Sequence, residues 1–151
     1  MAQVNASVGF LANRAAWKYR SLLNQIIQQC AYDITVEHWI ALYYLYQHDQ
    51  VSQIDLARAT YKDRANVTRL IQKLDALHLI KRERSVSDQR SFVVSLTNDG
   101  KKLVAQLQPQ LKAVTEAVNT HFGAERILRL QKDLQELYDF ADQFSVGDVL
   151  D

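Results

Sequence analysis

The sequence predicts a mostly α-helical protein that carries one small antiparallel β wing. The chain of 151 residues contains only 4 Gly and 1 Pro, which argues against a loop-rich β fold. Apolar residues recur at helical spacing over most of its length. The alternation of Phe92, Val94 and Leu96 is typical of a half-buried strand. At this length we expect a single domain with a buried core.

Long helices are predicted at both ends of the chain. Apolar residues from Val8 to Cys30 indicate one long first helix. A second long helix is expected after Thr97, which stands at its cap position, and Gly123 is expected to end it. The apolar residues of the last helix follow steps of three and four: Ile127, Leu130, Leu134, Leu137, Ala141 and Phe144. This narrow seam predicts packing against a helix of a second subunit.

Residues 52 to 78 have the pattern of a helix-turn-helix. Ser52 precedes a short helix, with Asp55 three positions on and Ile54 among its expected apolar positions. Residues 60–62 form the turn, and Asp63 is expected to cap the next helix. The apolar stripe of that helix consists of Val67, Leu70, Ile71, Leu74 and Leu77.

A two-stranded wing is predicted directly after this helix pair. Residues 79–84 read as one strand, 85–89 as a polar turn and 90–96 as the returning strand. Val51 is expected to add a short pairing strand. A helix-turn-helix followed by such a wing is an arrangement that holds a nucleic-acid duplex.

Positive charge is concentrated in the same part of the chain. From Arg58 to Arg90 there are nine Lys or Arg and four Asp or Glu, a local charge of +5 in a chain whose net charge is +1. A basic centre with acidic flanks predicts a protein that meets phosphate on one face only.

The outer face of the second helix of the pair is the predicted reading surface. Arg, Asn and Gln can make two hydrogen bonds to guanine or adenine edges, and small Ala side chains allow close approach. In the wing, Asp88 can orient Arg90 for insertion into a narrow minor groove. The predicted DNA-binding residues are Lys62, Arg64, Ala65, Asn66, Thr68, Arg69, Gln72, Lys73, Arg84, Asp88 and Arg90.

The segments Leu56-Ala57, Asn66-Val67-Thr68-Arg69-Leu70-Ile71, Leu79-Ile80 and Asp88-x-Arg90 with Leu96-Thr97-x-x-Gly100 resemble the winged helix-turn-helix of MarR-type transcriptional regulators. The resemblance implies a homodimer that binds a pseudo-palindromic operator in double-stranded DNA. It implies dimerisation helices at 1–34 and 101–151 and a DNA-binding lobe at 35–100. The expected function is a repressor that a small ligand releases. His78 and Gln89 depart from the family pattern, which commonly has Gly and a basic residue there.

The resemblance also implies a small-ligand pocket, for which the candidates are the aromatic residues Trp17, Trp39, Tyr43 and Tyr46. A small aromatic ligand is expected. Cys30, the single cysteine, leaves open an alternative in which a thiol senses oxidants, although a packing role is the ordinary one for such a residue.

No catalytic or metal-binding residues and no cofactor are predicted. The four His are not at metal-ligand spacing, and the sequence contains neither a Gly-rich phosphate loop nor a Gly-x-Ser-x-Gly motif. The sequence has no apolar run of membrane-spanning length and no signal-peptide pattern, so a cytoplasmic protein is expected. A winged-helix module that binds protein is the remaining alternative. It would require apolar residues where Arg69, Gln72 and Lys73 stand.

Overall fold

The computed structural model describes residues 7–84 and 92–145, and it confirms the predicted mostly helical fold with a small antiparallel sheet. The elements in chain order are α1 (Val8–Ile27), α2 (Val36–Gln47), β1 (Val51–Ser52), α3 (Gln53–Thr60), α4 (Arg64–Ala76), β2 (Ile80–Arg84), β3 (Phe92–Leu96), α5 (Asn98–Phe122) and α6 (Ala124–Gln143). The chain divides into two compact units, Met1–Leu111 and Lys112–Asp151. Within the described ranges, no helix is both long and apolar enough to cross a membrane.

β3 is the central strand of the sheet, with β1 on one side and β2 on the other, and both pairings are antiparallel. Val51 pairs with Val94, which confirms the predicted short strand. Ile80 pairs with Leu96 at the other end of β3, next to the start of α5. The sheet therefore joins the helix-turn-helix to the long helix that follows it.

Of the three residues predicted to alternate onto one face of β3, Phe92 is not buried. Val94 and Leu96 are buried, but Phe92 is 42% exposed. The strand register explains this, because Phe92 pairs with Arg84 at the far end of the hairpin, where the core has ended. The guanidinium of Arg82 lies 5.1 Å from the centre of the Phe92 ring and covers it in place of an apolar partner.

The core lies between α2, α3, α4, the sheet and the first half of α5. Its fully buried side chains include Leu42, Leu56, Leu74 and Leu107. Ile54, expected to be an apolar position of α3, is instead 65% exposed. α3 has only eight residues, and Ile54 lies about 200° around the helix from Leu56, so the two side chains cannot face the core together.

Two residues with left-handed backbone bracket α4. Tyr61, in the turn before the helix, has φ 51°, and His78, just after it, has φ 56°. In the sequence, His78 departs from the Gly that the MarR-type pattern commonly has at this position. The structure confirms that His takes the conformation that Gly adopts most readily.

Thr97 connects the end of the helix-turn-helix to the start of α5. Its hydroxyl donates a hydrogen bond to the carbonyl oxygen of His78 at 2.7 Å and accepts one from the backbone N–H of Gly100 at 3.1 Å. The predicted N-cap is thereby confirmed, and the same side chain also closes the base of the wing.

In the second unit, α6 presents its apolar seam without burying it. α5 runs continuously through Pro109, and Gly123, with φ 79°, separates it from α6 as predicted. No residue of α6 is buried, and Leu130 and Leu134 on the seam are exposed.

Candidate nucleic-acid interface

α4 has one buried face and one polar face, as its sequence predicted. Val67, Leu70, Ile71 and Leu74 are buried in the core. The exposed side carries the residues Ala65, Asn66, Arg69, Gln72 and Ala76. The side chains that can recognise base edges are therefore on the surface of a rigid, well-anchored helix.

A chain of hydrogen bonds orders the first turns of this exposed face. Asp63 accepts from the backbone N–H of Asn66 at 2.8 Å and from its side-chain amide at 2.7 Å. The amide oxygen of Asn66 in turn accepts from the Arg69 guanidinium at 3.4 Å. The hydrogen bond from the Asn66 backbone is the main reason that the pKa of Asp63 lies below its usual value. Asp63 is thus both the predicted cap of α4 and the start of a chain that orients Arg69.

Thr68 ties the two helices of the pair together. Its hydroxyl donates to the carbonyl oxygen of Arg64 at 2.8 Å and accepts from the side-chain amide of Gln53 at 2.7 Å. Because the hydroxyl is occupied on both sides, the geometry gives it a role in holding α3 against α4. The predicted contact of Thr68 with DNA stays a prediction. Sequence reasoning did not single out Gln53.

Lys73 is engaged in an ion pair at the edge of α4. Its ammonium lies 2.8 Å from a carboxylate oxygen of Asp33, in the segment between α1 and α2. The hydrogen bond and charge of Lys73 lower the pKa of Asp33. A phosphate that contacts Lys73 must therefore compete with this carboxylate.

His38 forms a second polar group near the same edge. The ring nitrogen Nδ1 of His38 accepts from the backbone N–H of Thr35 at 3.1 Å and caps the start of α2. Burial lowers the pKa of His38, and Lys62 lies close enough to influence the ionisation of both His38 and Glu37. The spacing of Thr35 and His38 is that of a capping box, a signal that could have identified this His from the sequence.

The remaining predicted DNA contacts fall into two groups. Arg64, the first residue of α4, and Arg84, at the end of β2, are exposed. Asp88 and Arg90 lie outside the described residues, so their predicted roles at the wing tip stay predictions.

The four aromatic ligand candidates do not lie together. Trp39 is buried and stacks on Tyr43, with ring centres 5.5 Å apart. Trp17 is 66% exposed and lines a shallow depression along α1. Tyr46 lines a separate cavity next to the sheet.

The single cysteine is half-buried near the end of α1. The thiol of Cys30 donates to the carbonyl oxygen of Tyr32 at 3.3 Å, and its side chain packs against the core. These contacts are those of a small packing residue.

Comparison with known proteins agrees with this geometry. Residues 32–91 match the model of the MarR family. The chain is 27% identical over 113 residues to the transcriptional repressor NicR of Pseudomonas putida, covering 75% of this chain and 70% of that protein. It is 26% identical over 138 residues to the transcriptional regulator FarR of Neisseria gonorrhoeae, covering 90% of each.

Solved structures show the same fold. BpsR of Bordetella bronchiseptica, whose DNA binding is regulated by 6-hydroxynicotinic acid, superposes with a TM-score of 0.80 at 25% identity, over 89% of this chain and 95% of that one. The DNA complex of MepR from Staphylococcus aureus gives a TM-score of 0.81 at 24% identity, over 88% and 97%. These comparisons confirm that the chain is similar to MarR-type winged-helix proteins, as its sequence suggested. Its relatives are regulators of transcription.

Proposed function

We propose that this protein is a homodimeric, sequence-specific DNA-binding regulator that represses transcription until a small ligand releases it. The observation that carries the proposal is the exposed face of α4. There Asp63 holds the side-chain amide of Asn66, whose oxygen accepts a long hydrogen bond of 3.4 Å from Arg69 and so favours one position of its guanidinium before any duplex arrives.

This arrangement suits direct reading of the major groove. Arg69 and Gln72 are three residues apart, so they lie on the same side of the helix. The guanidinium matches the two acceptors of guanine, and the Gln amide matches adenine. Ala65 and Ala76 leave room for the helix backbone to approach the bases. Pre-ordering Arg69 reduces the conformational entropy that binding costs.

Dimerisation is supported by apolar surface that a single chain leaves uncovered. Leu130 and Leu134 on α6 are exposed, and so are Val8 and Leu11 on α1. On each helix the two residues lie about one turn apart, and an apolar strip of this kind on a helix surface is typical of a protein interface. Two copies would present two α4 helices, and a pseudo-palindromic operator with half-sites about one helical turn apart would match them.

Release by a small ligand is supported by the relatives. BpsR responds to 6-hydroxynicotinic acid, and NadR was solved in complex with 4-hydroxyphenylacetate. Both compounds are small aromatic carboxylates. The stacked pair Trp39 and Tyr43 is the part of this chain that combines two of the predicted ligand contacts.

DNA recognition can be tested by selecting duplexes that the wild type binds from a random pool. The selected duplex is then titrated with the wild type and with the Arg69→Ala variant. The substitution should cost about 1–3 kcal/mol of binding free energy and relax preference at one base pair of each half-site. Arg129→Ala on α6, which removes an exposed Arg paired with Glu125, is the matched control and should bind normally. Failure to enrich any sequence would contradict the proposal. Binding to another macromolecule without salt dependence would favour a protein-binding module instead.

Sedimentation at micromolar concentration tests the dimer. Leu134→Glu places a charge on the exposed seam of α6 and should give a monomer. Lys132→Glu on the opposite side of the same helix is the control and should leave the dimer intact. A wild-type monomer, or equal behaviour of the two variants, would contradict the dimerisation proposal.

A further inference from the structure

A cavity of about 600 Å³ lies against the face of the sheet that carries Lys81 and Ser95. Its wall includes Tyr46 from α2, Asp49 from the following loop and Lys101 from the first turn of α5. The volume is in the range of small-molecule sites. None of these residues except Tyr46 entered the sequence-based predictions of a ligand pocket.

Ser95 is the unusual feature of this cavity. It lies on the central strand between two buried apolar residues, Val94 and Leu96, and it points to the opposite face of the sheet. Only 8% of Ser95 is exposed, and its hydroxyl has no hydrogen-bond partner among the described residues. The hydroxyl oxygen itself is not sealed off, because no side-chain oxygen or nitrogen of the described residues is both fully buried and without a partner. Ser95 lines the cavity, so its hydroxyl is available to a molecule bound there.

Two ammonium groups belong to the same wall. Lys81 is the cross-strand neighbour of Ser95, and its charge is partly balanced by Glu83 at 3.0 Å. Lys101 has no carboxylate within ion-pair distance in the described ranges, whereas the adjacent Lys102 pairs with Asp99. The first turn of a helix is its positive end, so the charge of Lys101 is unfavourable there until an anion comes near.

The other residues of the cavity wall suit an aromatic ring that carries a hydroxyl group. Leu45 and the ring of Tyr46 provide apolar surface. The carboxylate of Asp49 can accept a hydrogen bond from a hydroxyl on the ligand. We propose that this cavity binds a small hydroxyaryl carboxylate, with its carboxylate at Ser95 and Lys101 and its hydroxyl directed to Asp49.

This site is separate from the stacked pair of Trp39 and Tyr43, and it goes beyond the proposed function, which names only that pair for ligand contacts. A ligand there would link the first turn of α5 to β2, the strand that leads into the wing, and would thereby act on DNA binding. Only this effect on DNA binding depends on the proposed function. Binding of the ligand itself does not.

Calorimetric titration of the full chain with 4-hydroxybenzoate, in the absence of DNA, tests the site. Lys101→Gln and Ser95→Ala should each weaken binding by about tenfold or more, since each removes a hydrogen bond to a charged group. Lys102→Gln makes the same charge change one residue away, outside the cavity, and should bind like the wild type. The uncharged analogue 4-hydroxybenzyl alcohol should bind correspondingly more weakly.

Amide chemical shifts give an independent readout that does not depend on the variants. Addition of 4-hydroxybenzoate should move the signals of Lys81, Ser95 and Lys101 most strongly. The proposal is overturned if the wild type shows no binding at millimolar concentration or if Lys101→Gln and Lys102→Gln behave alike. It is also overturned if the shifts centre on the Trp39 indole. Because no duplex is present, any of these results leaves the DNA-binding proposal intact, and failed duplex selection would leave this site intact.

Discussion

Gly100 lies directly against the carbonyl group of Leu79. A Cβ atom built on Gly100 would come within 2.1 Å of the Leu79 oxygen, far inside van der Waals contact. The same oxygen accepts a hydrogen bond from the backbone N–H of Thr97 at 3.1 Å. The first turn of α5 therefore packs backbone to backbone on the entry to β2, which explains why a Gly follows Thr97 by three positions.

Gly100→Ala should lower the free energy of unfolding by about 2 kcal/mol or more, because the clashing atom is backbone and cannot move aside cheaply. Gly9→Ala is the matched control, since nothing lies within 4 Å of a Cβ at that position in α1. That control should stabilise the protein by up to about 1 kcal/mol through helix propensity. Urea unfolding followed by circular dichroism measures both. Equal effects would mean that the close approach at Gly100 does not constrain the fold.

His78→Gly should raise the free energy of unfolding by up to about 1 kcal/mol. The backbone of His78 is left-handed, and Gly adopts that conformation without steric cost. The hydrogen bond from Thr97 goes to the backbone carbonyl, so it survives the substitution. His78→Val should have the opposite sign, because a β-branched residue is strained at positive φ. Thermal unfolding of the two variants checks this. A destabilised Gly variant would show that the imidazole ring itself contributes.

Asp33→Asn should tighten duplex binding, because it releases Lys73 from its ion pair. If the released ammonium then contacts a phosphate, the plot of log binding constant against log salt concentration should become steeper, by the amount expected for about one additional phosphate contact. Asp142→Asn in α6 makes the same change of net charge and serves as the control. Titrations at several salt concentrations separate the two effects. The same gain from both variants would point to overall charge and away from Lys73.

The stability of the protein should fall as pH decreases through the ordinary pKa of His, near 6.5. Burial lowers the pKa of His38 in the folded state, so the unfolded chain takes up the proton first. The stabilising contribution is therefore complete above about pH 6.5 and declines as pH falls toward the lowered folded value. His38→Gln keeps an acceptor for the Thr35 N–H but does not titrate, so its stability should depend less on pH in this window. Denaturant unfolding at a series of pH values measures the slope, and identical slopes would exclude His38 as the cause.

The sequence predicted the features of α4 that depend on local spacing. The cap at Asp63, the buried stripe from Val67 to Leu74 and the exposed position of Arg69 all follow from a helical period and a cap residue. The cap at Thr97 was predictable for the same reason. Such features are set by residues within about one helical turn of each other, so they can be found without knowledge of tertiary contacts.

The features that the sequence-based prediction missed or got wrong depend on contacts between residues far apart in the chain. Lys73 and Asp33 are 40 positions apart, and Gln53 and Thr68 are 15 apart, so neither pairing is visible in local spacing. The exposure of Phe92 depends on where the hairpin extends beyond the core. These features can be found only from the tertiary structure.

The side chain of Thr97 has a mechanical consequence. One hydroxyl joins the residue that closes α4 to the first turn of α5, and the two strands of the wing begin and end beside it. The bases of β2 and β3 are thus tied to the first turn of α5. A displacement of that turn must either break the hydrogen bonds of Thr97 or shift the ends of both strands with it.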